Sequence, residues 1–221
     1  MRQCLFPFAL LYDGVTRCRN ALFDCGWLKE HTFAIPTICV GNLAVGGTGK
    51  TPHVEMIVGW LLDTGIKTAV LSRGYGRKTH GFRLLTAGDS AESVGDEPLQ
   101  MFRRFKQQGN VSAVCEDRVL GIKRLTESNP QLEAIVLDDA YQHRYVKPRL
   151  NILLTEYGRP FDRDFLLPVG RLREAARGAQ RADVIIVTKC PPTLPESERQ
   201  PFLTRLTCRA NPAVFFITVA Y

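Results

Sequence analysis

A glycine-rich loop between a predicted strand and a predicted helix is the feature that most restricts the fold of this sequence. The run Gly46-Gly47-Thr48-Gly49-Lys50-Thr51 follows the apolar segment 37–40 and precedes the helical stretch 53–62. Glycines allow backbone N–H groups to curl around phosphate oxygens, and the positive end of the helix dipole faces the same anion. This order of strand, loop and helix predicts a phosphate-binding loop in an α/β protein.

The loop pattern gives individual residues a role. Lys50 is expected to reach the β- and γ-phosphates, and the Thr51 hydroxyl is expected to bind Mg²⁺. The usual pattern has glycine six residues before the lysine, where this chain has Ala44, but the Gly-Lys-Thr core is intact. The sequence therefore predicts binding of a nucleoside triphosphate with magnesium. The predicted nucleotide-binding residues are Ala44, Val45, Gly46, Gly47, Thr48, Gly49, Lys50 and Thr51.

A pair of carboxylates supplies the second half of such a site. The apolar run 134–137 ends in Asp138 and Asp139, at the carboxyl edge of the predicted sheet, where ligands bind in open α/β folds. A carboxylate there can hold magnesium directly or through water. Thr51, Asp138 and Asp139 are therefore the predicted metal ligands. His143 follows closely, and the residues alone leave open whether it is structural or catalytic.

Short apolar runs recur along the chain and alternate with longer segments of mixed polarity. The runs are nearly continuous in apolar residues, as expected for strands that are buried on both faces. Spacers such as 53–62 and 118–126 are long enough for crossover helices. The pattern predicts an α/β fold of the P-loop kinase type, with a mostly parallel sheet and helices on both faces. The predicted strands are 37–40, 68–71, 111–115, 134–137, 151–155, 184–188 and 213–219.

Composition excludes several classes of protein. Hydrophobic residues make up 45% and charged residues 23% of the chain, which excludes a disordered or fibrous protein. The apolar stretches are shorter than the roughly 20 residues that a transmembrane helix needs. Seven cysteines, an odd number without a C-x-x-C pair, argue against a disulfide framework or a zinc site and indicate a reducing compartment. The net charge of +7 favours an anionic partner such as nucleic acid, a phosphorylated metabolite or an acidic membrane.

Three parts are predicted along the chain: an N-terminal helical segment (1–32), a nucleotide-binding domain (33–190) and the start of a smaller C-terminal region (191–221). Prolines 191, 192 and 195 predict a loop or linker over 189–200. Because an apolar run reaches almost to Tyr221, we expect the chain to be part of a longer protein.

The N-terminal segment has the pattern of an amphipathic helix. Arg2, Arg17 and Arg19 accompany its apolar side, so the helix suits a membrane interface with anionic headgroups. A helix that packs on the protein's own core remains the alternative. The apolar side consists of Leu5, Phe6, Phe8, Leu10, Leu11, Tyr12, Val15, Leu22 and Phe23.

Five motifs in order make the chain resemble the tetraacyldisaccharide 4′-kinases, the lipid A kinases. The resemblance covers roughly residues 5–190 and departs from the family pattern at Ala140, where glycine is usual. The motifs are Val40-Gly41-Asn42-Leu43 running into Val45-Gly46-Gly47-Thr48-Gly49-Lys50-Thr51-Pro52, then Ser72-Arg73-Gly74-Tyr75-Gly76-Arg77, Val94-Gly95-Asp96-Glu97-Pro98, Asp138-Asp139-Ala140-Tyr141-Gln142-His143 and Leu167-Pro168-Val169-Gly170-Arg171-Leu172-Arg173-Glu174.

The resemblance implies an ATP- and Mg²⁺-dependent kinase of lipid A biosynthesis. Its reaction would transfer the γ-phosphate to the 4′-hydroxyl of a tetraacyldisaccharide 1-phosphate. The implied partners are this acylated disaccharide phosphate and an anionic membrane surface, with no nucleic acid. The implied location is the cytoplasmic face of the bacterial inner membrane, as a peripheral protein. The resemblance also implies a member of the family that is truncated at its C-terminus.

By the same resemblance, Asp96 is the base that faces the sugar hydroxyl. Lys50, Asp139 and His143 complete the implied catalytic set, and Asp138 joins Asp139 and His143 around the magnesium and phosphates. Arg118 and Arg171 are implied to lie near phosphate or substrate. From the residues alone, a helix N-cap before Glu97-Pro98 is the favoured interpretation of Asp96.

Two other classes of ATPase compete with the kinase. A switch ATPase or GTPase of the partitioning or metallochaperone type would share the phosphate loop, but partitioning-type loops carry a lysine where this chain has Val45. A nucleic-acid-dependent ATPase would suit the positive charge, but the arginine-rich stretch 171–181 lacks the aromatic residues on which bases stack.

Overall fold

A computed structural model describes residues 2–207 and 211–218 of the chain. The chain divides into two units. Unit 1 consists of Met1–Lys29, Gly41–Gly49 and Leu150–Tyr221, and unit 2 consists of Glu30–Val40 and Lys50–Arg149. The three-part division of the chain at 32 and 190 stays a prediction.

Strands and helices alternate along most of the chain. The strands of the described residues are β1 (Thr37–Asn42), β2 (Thr68–Ser72), β3 (Arg83–Leu84), β4 (Val111–Val114), β5 (Ala134–Asp138), β6 (Leu150–Glu156), β7 (Val184–Thr188) and β8 (Ala213–Phe216). The α-helices are α1 (Phe6–Asp24), α2 (Lys50–Asp63), α3 (Ala91–Val94), α4 (Asp96–Phe105), α5 (Arg118–Ser128) and α6 (Glu196–Thr207), and short 3₁₀ helices cover Arg2–Leu5, Lys106–Gln108, Phe161–Arg163 and Ala176–Arg181.

Unit 2 contains a sheet with the strand order β3-β4-β2-β5-β1. β4, β2, β5 and β1 run parallel, and β3 pairs antiparallel with β4. Every residue of β2 and β5 is buried, as the continuous apolar runs predict. Because β2 and β5 are parallel neighbours, Ser72 and Asp138 at their carboxyl ends lie at the same edge of the sheet.

Unit 1 contains three parallel strands in the order β6-β7-β8, with Leu153, Leu154 and Ile185 fully buried. Helix α1 belongs to the same unit and has Pro7 in its first turn, where a missing N–H group leaves no helical hydrogen bond unmade. The Tyr12 hydroxyl attaches this helix to the unit by donating to the Arg173 carbonyl oxygen at 2.7 Å.

The predicted mostly parallel α/β fold is confirmed, with corrections at three places. Strand β3 escaped prediction because it has only two residues, both exposed. The predicted strand 213–219 ends at Phe216, and residue 219 lies outside the described residues. The third correction concerns residues 189–200.

Within the described ranges, no helix combines the length and the apolar character that crossing a membrane requires.

The prediction of a loop throughout 189–200 is wrong, because α6 begins at Glu196 and continues through Pro201. Acidic residues in the first turn favour the start of the helix. Phe202 then stacks on Tyr157 at a ring-centroid distance of 5.0 Å and meets the edge of Phe216 at 6.2 Å. This packing outweighs the hydrogen bond that Pro201 cannot make.

Candidate functional site

The glycine-rich loop of unit 1 is paired with a second segment of the same unit. The Val45 N–H donates to the Arg171 carbonyl oxygen at 2.8 Å, and the Arg173 N–H donates to the Leu43 carbonyl oxygen at 2.7 Å. Together with the antiparallel bridge between Ala44 and Leu172, these bonds make a short ladder. The ladder fixes the backbone at the start of the loop.

The ladder also places Arg171 beside the loop. A β-carbon at Gly46, whose φ is +117°, would lie only 3.5 Å from Arg171 Nη1. The guanidinium is oriented by Asp164, which accepts from Nε at 3.2 Å, and Nη2 lies 3.7 Å from Glu156 Oε2. Burial opposes ionisation of Asp164, but hydrogen bonds from the Phe165 N–H and from Arg171 outweigh burial and lower the pKa of this carboxyl. A fixed positive charge therefore stands next to Gly46.

Polar contacts, two buried and one exposed, hold the middle of the loop. The Asn42 side-chain amide donates to Thr48 Oγ1 at 2.8 Å, and both residues are buried. The Thr188 hydroxyl at the end of β7 donates to the Thr48 carbonyl oxygen at 3.1 Å, and the Lys189 ammonium donates to the Gly47 carbonyl oxygen at 2.7 Å. The middle of the loop is thus held by the side chains of Asn42, Thr188 and Lys189, in addition to the ladder at its start.

Lys50 and the two predicted carboxylates lie together in unit 2. Lys50 opens α2, and its Nζ lies 3.7 Å from Asp139 Oδ1. Asp138 ends β5 and is buried, and it accepts a hydrogen bond from Ser72 Oγ at 3.1 Å. Burial and the neighbouring charges of Asp139 and Glu97 raise the pKa of Asp138 to about 6, although Ser72 and Lys50 oppose the shift. Two adjacent carboxylates in this setting favour a cation beside them.

The residues present fit a magnesium ion that shares its ligands with phosphates. Among residues 2–207 and 211–218, no three or more His, Cys, Asp or Glu side chains form a metal-binding group. Mg²⁺ is usually held by one or two carboxylates together with substrate phosphates and water, and it does not need such a cluster. The carboxylates of Asp138 and Asp139 and the Thr51 hydroxyl in the first turn of α2 meet that requirement.

Arg118 lies in the interior, with 2% of its surface exposed. Its guanidinium donates to the Cys115 carbonyl oxygen at 2.7 Å and to the Asp138 carbonyl oxygen at 3.3 Å. Burial lowers the pKa of this arginine, while the charges of Asp138 and Asp139 act in the opposite direction. These contacts tie the loop after β4 to the end of β5, and the predicted contact of Arg118 with phosphate or substrate stays a prediction.

Asp96 is the first residue of α4, and the residue in the N-cap position is Gly95. The alternative that Asp96 is the N-cap is therefore wrong, because the cap is a glycine with φ +93° and ψ 155°. The Asp96 side chain is exposed. The charge of Glu97, the next residue, acts on Asp138, so the start of α4 faces the end of β5.

His143 lies in the turn after β5 and is half-buried. Its backbone N–H donates to the Ala140 carbonyl oxygen at 2.8 Å, and its ring centroid lies 5.6 Å from that of Tyr145. These contacts hold the histidine in the turn that follows Asp138 and Asp139 in the sequence. Its catalytic role stays a prediction.

Comparison with known proteins decides the family. A family model described as tetraacyldisaccharide-1-P 4′-kinase, or LpxK, matches residues 1–216. The chain belongs to the tetraacyldisaccharide-1-P 4′-kinase family.

Similar family members and a solved structure extend this match. The chain is 47% identical to the tetraacyldisaccharide 4′-kinase of Cytophaga hutchinsonii and 49% identical to that of Bacteroides fragilis. Both alignments cover 100% of this chain, but they cover 62% and 58% of those relatives. The crystal structure described as the "apo" form of LpxK from Aquifex aeolicus in complex with ATP is 37% identical, with a TM-score of 0.76, over 84% of this chain and 58% of that one.

Several residues that contact the loop, Asp138 or the cations beside the loop were not predicted from the sequence. Ser72 and Asn42 lie within recognised motifs, so the motifs themselves are a signal for both. Thr188 ends a predicted strand, and Glu156 and Lys189 directly follow predicted strands, so only their place at a carboxyl edge of the sheet indicates them.

Proposed function

We propose that this chain is the kinase part of a tetraacyldisaccharide 4′-kinase, which transfers the γ-phosphate of ATP to the 4′-hydroxyl of tetraacyldisaccharide 1-phosphate in lipid A biosynthesis. The observation that carries the proposal is the meeting of Lys50 with Asp139 at 3.7 Å, next to the buried Asp138 whose pKa is raised. The family match indicates the substrate, and the relative described in complex with ATP indicates that ATP is the phosphate donor.

Phosphoryl transfer depends on positioning and on neutralising charge more than on covalent chemistry. In this proposal the loop residues 44–51 hold the phosphates, and the Lys50 ammonium neutralises charge on the β- and γ-phosphates. Thr51, Asp138 and Asp139 would hold Mg²⁺, which neutralises the charge of the phosphate oxygens when it is bound. Ser72 keeps the Asp138 carboxylate in one orientation through its hydrogen bond.

Asp96 is proposed as the base for the sugar hydroxyl. Its carboxylate is exposed at the first turn of α4, so a hydroxyl of an external substrate can reach it. Arg171, beside Gly46, is proposed to neutralise phosphate charge. Arg118 and His143 are proposed to act near the phosphates, Arg118 chiefly through the Asp138 backbone that it holds.

We propose that α1 attaches the protein to the cytoplasmic face of the inner membrane. Phe8, Leu11 and Val15 follow one another at helical spacing and are 63%, 68% and 62% exposed. The other side of the helix faces unit 1, where Ala9 and Phe23 are buried. The helix therefore has one face for the protein and an apolar face that remains exposed, as an interfacial helix requires.

The membrane-facing helix and the phosphate loop are connected through one segment of unit 1. Tyr12 and Asn20 of α1 bind Arg173 and Glu174, at 2.7 Å and 3.1 Å, and the preceding residues form the ladder with the loop. The exposed Phe165 ring meets the edge of Phe6 at 6.2 Å and adds to the apolar surface. This arrangement suits a kinase that receives an acylated substrate from the bilayer.

A product analysis tests the reaction. The purified protein is incubated with Mg·ATP and tetraacyldisaccharide 1-phosphate in detergent micelles, with DNA, or with neither, and the lipid is analysed by mass spectrometry. The expected result is a mass gain of one phosphate on the lipid and no stimulation of ATP consumption by DNA. ATP consumption that DNA stimulates, with no phosphorylated lipid, would favour a nucleic-acid-dependent ATPase instead.

A flotation assay tests the membrane contact. A variant with Phe8→Ser, Leu11→Ser and Val15→Ser is compared with wild type on liposomes that contain anionic lipid. The matched control is Trp60→Ser, which removes an apolar side chain of similar exposure (61%) from α2. We expect the triple variant to lose most of its binding and the control to keep it. Equal binding by all three proteins would contradict the role of α1.

A further inference from the structure

Lys189 directly follows β7 and binds the phosphate loop of unit 1. Its Nζ donates to the Gly47 carbonyl oxygen at 2.7 Å and to Glu156 Oε1 at 2.6 Å. The preceding residue, Thr188, donates to the Thr48 carbonyl oxygen at 3.1 Å. Two consecutive side chains at the end of β7 thus bind two consecutive carbonyl oxygens of the loop.

The backbone at Lys189 is held in an uncommon conformation. Its φ is +56°, a left-handed value that residues with a side chain adopt only when the surroundings require it. The flanking backbone is fixed on both sides, since the Tyr157 N–H donates to the Thr188 carbonyl at 2.9 Å and the Cys190 N–H donates to the Ile217 carbonyl at 3.0 Å. The conformation directs the lysine ammonium to the Gly47 carbonyl oxygen.

Glu156 balances the charge of this lysine. It ends β6, accepts from Lys189 through Oε1, and has Oε2 3.7 Å from Arg171 Nη2. The acid therefore links the two cations that approach the loop, one beside Gly46 and the other on Gly47. Two of the three N–H donors of the Lys189 ammonium are used in this way, one on the loop backbone and one on Glu156.

We propose that Lys189 is a positioning residue of the phosphate loop. A peptide unit is planar and trans, so fixing the Gly47 carbonyl oxygen also fixes the plane of the Gly47–Thr48 peptide, whose N–H donates to the Gly46 carbonyl oxygen at 3.0 Å and closes a turn within the loop. The bond from Thr188 fixes the direction of the Gly49 N–H in the same way. Because backbone N–H groups bind the phosphates in such a loop, the two contacts preorganise it for the nucleotide. The inference rests on the proposed binding of ATP at this loop.

Nucleotide binding without lipid provides the test. The Kd values of Mg·ATP and Mg·ADP are measured by calorimetry for wild type, Lys189→Gly, Lys189→Arg and the control Lys78→Met. Glycine adopts φ +56° without strain, so Lys189→Gly removes the ammonium and keeps the backbone. Lys78 is a matched control because it also donates to a carboxylate, that of Glu92 at 2.9 Å, and lies outside the loop.

We expect Lys189→Gly to weaken both nucleotides about tenfold, or about 1.4 kcal/mol, with a melting temperature close to wild type. Equal loss for ATP and ADP is expected because the lysine acts on the loop and not on the γ-phosphate. Lys189→Arg, which keeps the donors, should recover most of the affinity, and Lys78→Met should bind as wild type does.

Wild-type affinity in Lys189→Gly would overturn the inference, and so would equal weakness in the glycine and arginine variants. These results are independent of the proposed reaction. A wild-type protein that binds ATP but leaves the lipid unphosphorylated contradicts the kinase proposal and does not affect the assignment of Lys189.

Discussion

Gly95 is the position where one methyl group should affect both stability and turnover. Its φ of +93° and ψ of 155° fall in a region open essentially to glycine, and placing a side chain there costs about 1–3 kcal/mol. A β-carbon would also lie 2.9 Å from the Tyr75 carbonyl oxygen and 3.3 Å from the Gly74 carbonyl carbon. Both neighbours are backbone atoms, so the two loops must separate, which costs about another 1–3 kcal/mol.

We therefore expect Gly95→Ala to lower the free energy of unfolding by about 2–6 kcal/mol. Asp96 follows directly and begins α4, so the same displacement moves the proposed base. A misplacement of about 1 Å can cost about 100-fold in rate, and we expect a loss of that order in the turnover of lipid. ATP affinity should change little, because the loop residues lie elsewhere in the chain.

Variants at two other glycines separate the conformational cost of the added side chain from the cost of its steric contacts. Gly76 has φ +77° and nothing within 4 Å of an added β-carbon, so Gly76→Ala should carry only the conformational cost of about 1–2 kcal/mol. Gly88 has open space and no positive φ, so Gly88→Ala should be neutral or stabilising by up to about 1 kcal/mol.

Urea unfolding followed by circular dichroism gives the free energies, and turnover is measured at a temperature where every variant is folded. If Gly95→Ala is no less stable than Gly76→Ala, the contact between the two loops does not matter. If its turnover equals that of wild type, the Gly74–Gly95 contact does not position Asp96.

Further predictions concern single side chains. Lys50→Ala should reduce turnover far more than ATP affinity, because the lysine acts on charge that develops during transfer; an equal loss of both in steady-state and binding assays would contradict this. Asp96→Asn should lower turnover by about 10²–10⁴-fold at unchanged ATP affinity and melting temperature, and retained turnover would remove Asp96 as the base. Burial opposes ionisation of Asp89, but hydrogen bonds from Ser93, the Thr86 N–H and Arg83 lower its pKa from 3.8 to about 2. Its carboxylate should therefore stabilise the fold by about 1–2 kcal/mol above pH about 4, and lose this effect as the pH falls towards 2. Urea titrations at pH 6 and pH 3 should show a smaller difference for Asp89→Asn than for wild type, and an equal difference would contradict the prediction.

The parallel core and the phosphate loop were predictable from local patterns. Strands such as β5 are continuous apolar runs because both of their faces are covered, and the glycines of the loop are required by its backbone. The meeting of Lys50 with Asp139 was also predictable in outline. Parallel strands end at one edge, so Lys50, which opens the helix that follows β1 in the chain, and the acids at the end of β5 are expected to approach each other there.

Contacts between distant residues were not predictable. The helical conformation of 196–201 depends on Phe202 packing against Tyr157 and Phe216, and local signals alone indicate a loop because of the prolines. The cap of α4 is Gly95 rather than Asp96, because the close approach of Gly74 leaves no room for a side chain at that turn.

The sequence by itself thus determined the family, the parallel core and the residues able to bind phosphate, because these depend on patterns within a few residues. Only the tertiary structure decided what orients those residues. Thr188 binds Thr48 across 140 positions of the chain and Lys189 binds Gly47 across 142. Such contacts follow from the folding of unit 1 as a whole, where the end of β7 lies against the loop, and no local pattern encodes that proximity.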